Sequence, residues 1–154
     1  MQYAPLGNTA LSFSKIILGT WQAGKAMWTG VDDAETTKAI RLAVDLGITT
    51  IDTAMVYGDG HSERIIGQAL KGVSRSHYQI ATKVFSDKLS YAQVLAECEK
   101  SLKNICTDYI DLYQIHWPSG SFNSQVVPIE ETMRALNELK ASGKIRHIGV
   151  SNFS

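Results

Sequence analysis

ITTIDTAMVYGDG, residues 48–60, combines a short apolar run with a carboxylate at its end and a tyrosine in the loop beyond. Isoleucine and threonine suit a pleated, packed surface, so the run through Ile51 predicts a buried strand. That strand would end at Asp52, and Tyr57 would lie five positions further on, in a loop bounded by glycines. The following residues, SERIIGQALKG, predict a helix with Ser62 as its N-cap. This stretch therefore predicts one unit of strand, loop and helix.

The same unit recurs along the chain. The predicted strands are KIILGT, ITTID, YQIATKV, YIDLYQIHW and IRHIGVS, and the predicted helices are DDAETTKAIRLAVDLG, SERIIGQALKG, SYAQVLAECEKSLKNIC and PIEETMRALNELKASG. A hairpin over residues 3 to 13 is predicted before them. Strict alternation with short connections predicts a parallel sheet built from right-handed crossovers, and no linker divides residues 1–154. The predicted fold class is therefore α/β, in a single domain.

Two architectures share this alternation, the open doubly wound sheet and the closed barrel. A dinucleotide-binding fingerprint in the loop after ITTID would favour the open sheet. Gly58 and Gly60 supply its first two glycines, but position 63, where the third belongs, is glutamate. The two glycines are better interpreted as turn residues.

Composition narrows the classes of partner. Fifteen Lys and Arg residues balance fifteen Asp and Glu residues, so charge does not favour binding to nucleic acid or to an anionic membrane surface. The N-terminus lacks a signal-peptide pattern, and no segment is long enough for a membrane span. Cys98 and Cys106 fall in one predicted helix, which disfavours a disulfide and favours a reducing, cytoplasmic location. The four histidines show no zinc-ligand spacing, so no metal is predicted.

Polar residues stand at the ends of four predicted strands, at Asp52, Lys83, His116 and Asn152. Each of them alone has an ordinary explanation, such as a loop cap, a lysine leaving a strand for solvent or a structural histidine in the core. In a parallel sheet, however, the carboxyl ends of the strands meet on one face, and in a barrel that face carries the active site. We therefore expect the four side chains to surface together, with Tyr57 in the intervening loop.

These residue types suit proton transfer to a carbonyl oxygen. A free phenol has a pKa of about 10, and a cation within hydrogen-bonding reach lowers it by favouring the phenolate. Lys83 is the predicted cation for Tyr57. A partly buried lysine needs a counter-charge, which Asp52 supplies. His116 adds a donor that could orient or polarise an oxygen, so the group predicts a tuned general acid.

The residues in this arrangement resemble those of the aldo-keto reductases. Five motifs occur in the order of that family, namely LGTW, IDTAMVYGDGHSERIIGQAL, IATKV, YIDLYQIHWP and KIRHIGVSNF. The catalytic tetrad of that family carries over onto Asp52, Tyr57, Lys83 and His116. The forms GTW and QIHWP resemble bacterial members related to potassium-channel beta subunits. The resemblance implies a (β/α)8 TIM barrel that reduces aldehydes or ketones with NADPH.

The resemblance also implies a cofactor and substrate site on the carboxyl-terminal face. Hydride would pass from the nicotinamide to the carbonyl carbon while Tyr57 protonates the oxygen, and Ser151 and Asn152 would hold the nicotinamide carboxamide. The further implied cofactor positions are Gly19, Thr20, Trp21 and Asp52. The implied substrate pocket comprises Trp21, Trp28, Tyr57, His116 and Trp117, with ordinary packing as the alternative for each tryptophan.

Chain length bears on how much of that barrel is expected. A complete barrel of this type has about 250 residues or more, whereas this sequence ends just after the fifth predicted strand. Residues 1–154 would therefore be the N-terminal part of one barrel domain, without the region that binds the phosphates of NADPH. Three alternatives stay open: part of a longer protein, self-association through open sheet edges that closes a barrel, or an open sheet. The alternatives to a reductase are a nicotinamide-sensing binding subunit and an inactive fragment.

Overall fold

The computed structural model describes residues 1–154. Its strands are β1 (Tyr3–Pro5), β2 (Ser12–Ser14), β3 (Leu18–Gly19), β4 (Thr50–Asp52), β5 (Gln79–Val84), β6 (Ile110–Ile115) and β7 (Ile145–Val150). Its α-helices are α1 (Asp33–Asp45), α2 (His61–Ala69), α3 (Tyr91–Ile105) and α4 (Ile129–Ala141). Single 3-10 turns occupy Trp21–Gly24, Arg75–His77, Ser86–Lys88 and Ser121–Asn123. None of the α-helices combines the length and apolar character needed to cross a bilayer.

Strands β3 to β7 form one parallel sheet, in which every strand lies beside its neighbour in sequence. A doubly wound sheet reverses its strand order at a switch point, whereas a barrel adds each new strand on the same side. The observed order β3-β4-β5-β6-β7 is therefore that of part of a barrel, with β3 and β7 as its edge strands. The separate pair of β1 and β2 is antiparallel, which confirms the predicted hairpin.

The first strand of the sheet is shorter than predicted. KIILGT predicts a strand of six residues, but only Leu18–Gly19 pairs with β4, and Ile16 and Ile17 are exposed. A strand at an edge has a pairing partner on one side alone, so fewer ladder hydrogen bonds hold its residues in extended form.

The predicted N-cap of α2 is wrong by two positions. The helix begins at His61, and Gly60 is the N-cap in a left-handed conformation (φ 76°) that glycine adopts without a Cβ clash. Ser62 is buried in the first turn, where its Oγ donates to the carbonyl oxygen of Thr20 at 2.9 Å. Ser62 therefore ties α2 to the segment after β3 instead of capping the helix.

The apolar core lies between the sheet and the helices. One cluster packs β5, β6 and β7 against α3 and α4 around the buried side chain of Tyr113, and a second packs β4 and β5 against α1 and α2. On the other face of the sheet, Phe13 of the hairpin packs against Ala81 and Leu112. Strands β5 and β6 are thus packed on both faces, and the carboxyl ends of the strands lie outside these apolar clusters except at Val84 and Ile115.

Both cysteines are free thiols. Cys98 is buried within α3, whereas Cys106 is exposed and follows the helix in a left-handed conformation (φ 58°). The prediction that both fall in one helix therefore holds only for Cys98, since the last turn of α3 ends at Ile105.

Candidate active site

The carboxyl ends of the parallel strands bring the four predicted catalytic residues together. Asp52 is the last residue of β4, Lys83 is the next to last of β5, and His116 directly follows β6. Tyr57 lies in the loop between β4 and α2. All four line one cavity of about 700 Å³ on this face of the sheet.

Lys83 and Asp52 form an ion pair at the base of this cavity. Lys83 Nζ lies 2.7 Å from Asp52 Oδ2 and also donates to the main-chain oxygen of Thr53 at 2.7 Å. Thr20 Oγ1 donates to the carbonyl oxygen of Asp52 at 3.0 Å, which fixes the end of β4. The expected counter-charge for the buried lysine is therefore present, and the bond from Thr20 fixes the main chain of the residue that carries it.

Tyr57 stands beside this pair but does not hydrogen-bond to it. Lys83 Nζ lies 5.4 Å from the centre of the Tyr57 ring, and its donors point to Asp52 and Thr53. Burial raises the pKa of the Tyr57 phenol above its usual value of 10, and the Asp52 carboxylate raises the pKa further. The predicted lowering of this pKa by Lys83 is therefore wrong for this structure, because the ammonium hydrogen-bonds to Asp52 and Thr53 and its charge is balanced by Asp52. Tyr57 keeps its proton.

His116 is a neutral imidazole. Burial lowers its pKa from 6.5 to about 4, and the nearby charge of Lys83 acts in the same direction. Its ring meets Tyr57 edge-on with ring centres 5.8 Å apart and packs likewise against Phe85 at 5.5 Å. Its Nδ1 is buried without a hydrogen-bond partner. The site therefore presents a protonated phenol beside an uncharged imidazole.

Ser151 and Asn152 follow β7 and also line the cavity. Asn152 has a left-handed backbone (φ 62°), and its Nδ2 donates to the carbonyl oxygen of His116 at 2.8 Å and to Ser151 Oγ at 3.0 Å. The amide of Ser151 donates to the carbonyl oxygen of Ile115. Both amide protons of the Asn152 side chain are thus engaged, while its Oδ1 stays available as an acceptor.

Aromatic and apolar side chains build the walls of the cavity. Of the predicted pocket residues, Trp21, Tyr57, His116 and Trp117 line it. Trp28 does not line it but packs edge-on against Trp21, with ring centres 5.5 Å apart. The wall residues that sequence reasoning missed are Ala26, Met27, Val56, Gly58, Phe85 and Phe122.

Two of the predicted cofactor positions lie outside the lining residues. Gly19 pairs with Asp52 in the sheet, and Thr20 is buried beneath the site through its bond to Asp52. The other predicted cofactor positions, namely Trp21, Asp52, Ser151 and Asn152, all line the cavity. Thr20 and Gly19 thus contact the site through Asp52, on the side away from the cavity.

The loop that carries Tyr57 touches the turn that carries Trp21 through glycine backbones. A Cβ atom on Gly24 would overlap the main chain of Tyr57 and Gly58, and one on Gly58 would overlap the main chain of Gly24. Gly58 also needs its left-handed conformation (φ 65°). Only glycine at both positions permits this approach, which sets the spacing between the Trp21 and Tyr57 rings, 6.3 Å between centres.

A second cavity, of about 850 Å³, lies away from this site. It is formed by the C-terminal ends of α2 and α3 and the segments that follow them. None of the predicted site residues lines it. No cluster of three or more His, Cys, Asp or Glu side chains with a metal-binding arrangement is present in the chain.

Residues 15–154 match the model of the aldo/keto reductase family. The chain belongs to the aldo/keto reductase family. It is 46% identical to the aldo-keto reductase YhdN of Bacillus subtilis, covering 100% of this chain and 48% of that protein. It is 41% identical to the methylglyoxal reductase YeaE of Escherichia coli, covering 84% of this chain and 44% of that protein. The chain thus spans about half the length of these curated relatives.

Solved structures of the family have the same fold. The thermostable aldo-keto reductase Tm1743, in complex with the inhibitor epalrestat, superposes with a TM-score of 0.88 at 40% identity, covering 99% of this chain and 54% of that one. The aldo-keto reductase of Klebsiella pneumoniae in complex with NADPH superposes with a TM-score of 0.81 at 36% identity, covering 93% of this chain and 47% of that one. The five-stranded sheet and its helices are therefore part of an aldo-keto reductase TIM barrel, as the motifs predicted.

Proposed function

We propose that this chain carries the proton-transfer site of a carbonyl reductase, which converts aldehydes or ketones to alcohols with NADPH. The observation that carries the proposal is the pairing of a protonated phenol, Tyr57, with a neutral imidazole, His116, at the wall of one cavity. General acid catalysis needs a group that keeps its proton until the oxygen of the substrate becomes basic, and the raised pKa of Tyr57 meets that need.

Tyr57 is the proposed proton donor. A carbonyl oxygen seated between Tyr57 and His116 receives the phenol proton as its carbon is reduced, and the O–H bond of Tyr57 breaks. The phenolate left behind lies near the positive charge of Lys83, which is 5.4 Å from the ring centre. Because burial and the Asp52 carboxylate disfavour the phenolate, it takes a proton back from solvent readily. His116, being uncharged, orients the oxygen without competing as an acid at neutral pH.

The groups around the cavity fit the nicotinamide end of the proposed cofactor, which supplies the hydride when it is bound. Asn152 Oδ1 and the Ser151 hydroxyl would hold a carboxamide, because both Nδ2 protons of Asn152 already position that side chain. The flat ring of Trp21 provides an apolar wall. The NADPH complex of the Klebsiella relative supports the choice of cofactor. We propose that the contacts with its phosphates lie outside residues 1–154.

Small aldehydes are the proposed substrate class. Seven of the eight apolar lining residues are bulky or aromatic, namely Trp21, Met27, Val56, Tyr57, Phe85, Trp117 and Phe122. The polar lining groups are Asp52, Lys83, His116, Ser151 and Asn152. Such a wall suits a short apolar group attached to a carbonyl. One relative is a methylglyoxal reductase, so methylglyoxal is the first substrate to test.

Titration of the purified 154-residue chain with NADPH, followed by nicotinamide fluorescence, tests the proposal. Its mass in the same buffer shows whether the edges β3 and β7 pair between copies, as the open-edge prediction allows. Methylglyoxal is then added and NADPH oxidation is followed. Sustained oxidation supports the reductase, whereas binding without turnover supports a nicotinamide-sensing subunit. Neither binding nor turnover would overturn the proposal for this chain on its own.

A further inference from the structure

Glu63 is a buried carboxyl group with no place in the cavity described above. It lies in α2, its exposure is 0%, and it faces the back of the sheet. Its Oε1 accepts a hydrogen bond from Thr82 Oγ1 at 2.8 Å, and its Oε2 accepts one from Asn104 Nδ2 at 3.0 Å. Burying a carboxyl group costs free energy, which its hydrogen bonds must offset. The partners of Glu63 therefore show what the group does in the structure.

Asn104, the partner of Glu63, also contacts the loop that carries Tyr57. Asn104 Nδ2 also lies 3.5 Å from Met55 Sδ, and a Cβ atom on Gly60 would overlap the Asn104 side chain. The main-chain amide of Gly60 donates to the carbonyl oxygen of Met55 at 2.7 Å. The Asn104 amide group thus lies against both ends of residues 55–60, at the point where that loop closes.

Tyr57 occupies the middle of this loop. The amide of Ser62 donates to the carbonyl oxygen of Tyr57 at 3.2 Å, and Gly58 abuts Gly24. The glycine contact holds the loop from the side of the cavity, and Asn104 holds it from the helix layer. A shift of Asn104 would therefore release one of the two supports of Tyr57.

We propose that Glu63 and Asn104 are positioning residues for Tyr57. Glu63 orients the amide of Asn104 by accepting from it, and the oriented amide fixes the loop of residues 55–60. The effect on turnover rests on the proposed role of Tyr57 as proton donor. The effect on the loop does not depend on that role.

An exchange of donor and acceptor tests the pair. Asn104→Asp keeps the shape of the side chain but sets a carboxylate against that of Glu63 and removes the donor. The double variant Glu63→Gln/Asn104→Asp restores the bond with its polarity reversed, because the new amide donates to the new carboxylate and its oxygen still accepts from Thr82. A matched control is Glu131→Gln, which removes a half-buried carboxylate of α4 that accepts a hydrogen bond from the main-chain amide of Tyr91.

Hydrogen exchange of the main-chain amides measures the loop directly, and it is recorded from about pH 7 to about pH 9. Burial raises the pKa of Glu63, and a proton shared between the two carboxyl groups of Asn104→Asp would restore their bond at the lower pH. We expect exchange at Gly60 and Ser62 to speed up about tenfold or more in Asn104→Asp and to stay unchanged in Glu131→Gln. In the double variant exchange should recover in part, because the bond to position 63 returns but the donor toward Met55 Sδ does not. Exchange at Ile80, whose amide donates to Asp111 Oδ2 in the sheet, serves as the internal reference and should not change.

Turnover supplies the second measurement. In Asn104→Asp, kcat should fall by about tenfold or more while the Kd for NADPH is unchanged, and the double variant should recover part of that loss. Unchanged exchange at Gly60 and Ser62 in Asn104→Asp, or no recovery in the double variant, overturns the positioning role. If the unmodified chain shows no turnover, the proposed function fails for this chain, and the exchange data alone still decide whether the pair holds the loop.

Discussion

Nζ of Lys83 lies 2.7 Å from Oδ2 of Asp52, yet the two side chains differ sharply in exposure, at 7% for Lys83 and 32% for Asp52. The lysine is enclosed by the ends of β4 and β5, and its other hydrogen bond goes to the neutral carbonyl of Thr53. Asp52 remains partly hydrated. The ammonium therefore depends on the carboxylate far more than the carboxylate depends on the ammonium.

Asp52→Asn should lower the free energy of unfolding more than Lys83→Met does. The first change leaves a buried ammonium with only neutral acceptors, at an expected cost of about 1–3 kcal/mol. The second removes the buried charge, keeps most of the side-chain length and leaves a carboxylate that water can reach. Urea unfolding followed by tryptophan fluorescence measures both. Asp87→Asn is the control, because its exposed pair with Lys88 should cost less than about 1 kcal/mol. The opposite order of the two site variants would contradict this account.

Tyr57→Phe should abolish carbonyl reduction and leave NADPH binding nearly unchanged, since it removes only the hydroxyl group that donates the proton. The ring contacts with Trp21 and His116 persist in the variant. Steady-state turnover and the fluorescence titration measure the two properties. Tyr78→Phe is the control, because Tyr78 packs on Arg75 and does not line the cavity. Normal turnover in Tyr57→Phe would remove Tyr57 from the mechanism.

Reductive turnover should stay level from neutral pH up to about pH 10. Burial and the Asp52 carboxylate raise the pKa of Tyr57, so the donor keeps its proton across this range. The measurement is kcat against pH at saturating aldehyde. A fall centred between about pH 7 and pH 9 would instead show that Lys83 lowers the pKa of Tyr57 during turnover, as sequence reasoning predicted.

His116 should make the protein less stable as the solution is acidified. Its pKa is about 4 in the folded state against an ordinary 6.5, so between these values the unfolded chain binds a proton that the folded chain does not. Stability from this group is therefore complete above pH 6.5, falls as the pH drops, and is reduced by ~3 kcal/mol below pH 4.

Comparison with His116→Gln isolates this contribution, because the other titrating groups are common to both proteins. The free energy of unfolding of the unmodified chain should fall more steeply than that of the variant between pH 6.5 and pH 4. Parallel curves over this interval would show that His116 titrates normally in the folded protein.

Gly24→Ala should destabilise the fold by about 1–3 kcal/mol and lower turnover, since the added methyl group overlaps the main chain of Tyr57 and Gly58. Gly19→Ala is the matched control for stability, because a Cβ atom on Gly19 would meet no other atom within 4 Å and the backbone there is not left-handed. Thermal or urea unfolding of the two variants measures the difference. Equal stability would mean that the two loops separate at little cost.

The fold was predictable from the sequence because its signals are local. Periodicity and end signals predicted α4 over 128–143, and the helix spans Ile129–Ala141. KIILGT failed as a strand of six residues because strand length at an edge depends on the available partner, which lies more than 30 positions away in β4. Ser62 failed as an N-cap because Gly60 enters the helix in a conformation that the sequence pattern did not reveal.

The site was predictable in its members but less so in its walls. Asp52, Tyr57, Lys83 and His116 line one cavity because parallel strands bring their carboxyl ends to one face. Phe85 could have been found, since it directly follows β5 as His116 follows β6. Phe122 had no such signal: it lies in a left-handed conformation (φ 57°) and reaches the wall by stacking on Phe85.

The sequence by itself determined the order of strands and helices, the family and the set of groups available for chemistry. Tertiary structure alone decided where each hydrogen bond points, and with it the pKa of each group. Burial and the Asp52 carboxylate raise the pKa of Tyr57, while Lys83 bonds to Asp52 and Thr53. Asn104 bonds to Glu63 across 41 positions of chain. The physical reason is that periodicity is a property of neighbouring residues, whereas desolvation and hydrogen-bond direction depend on atoms brought together from distant parts of the chain.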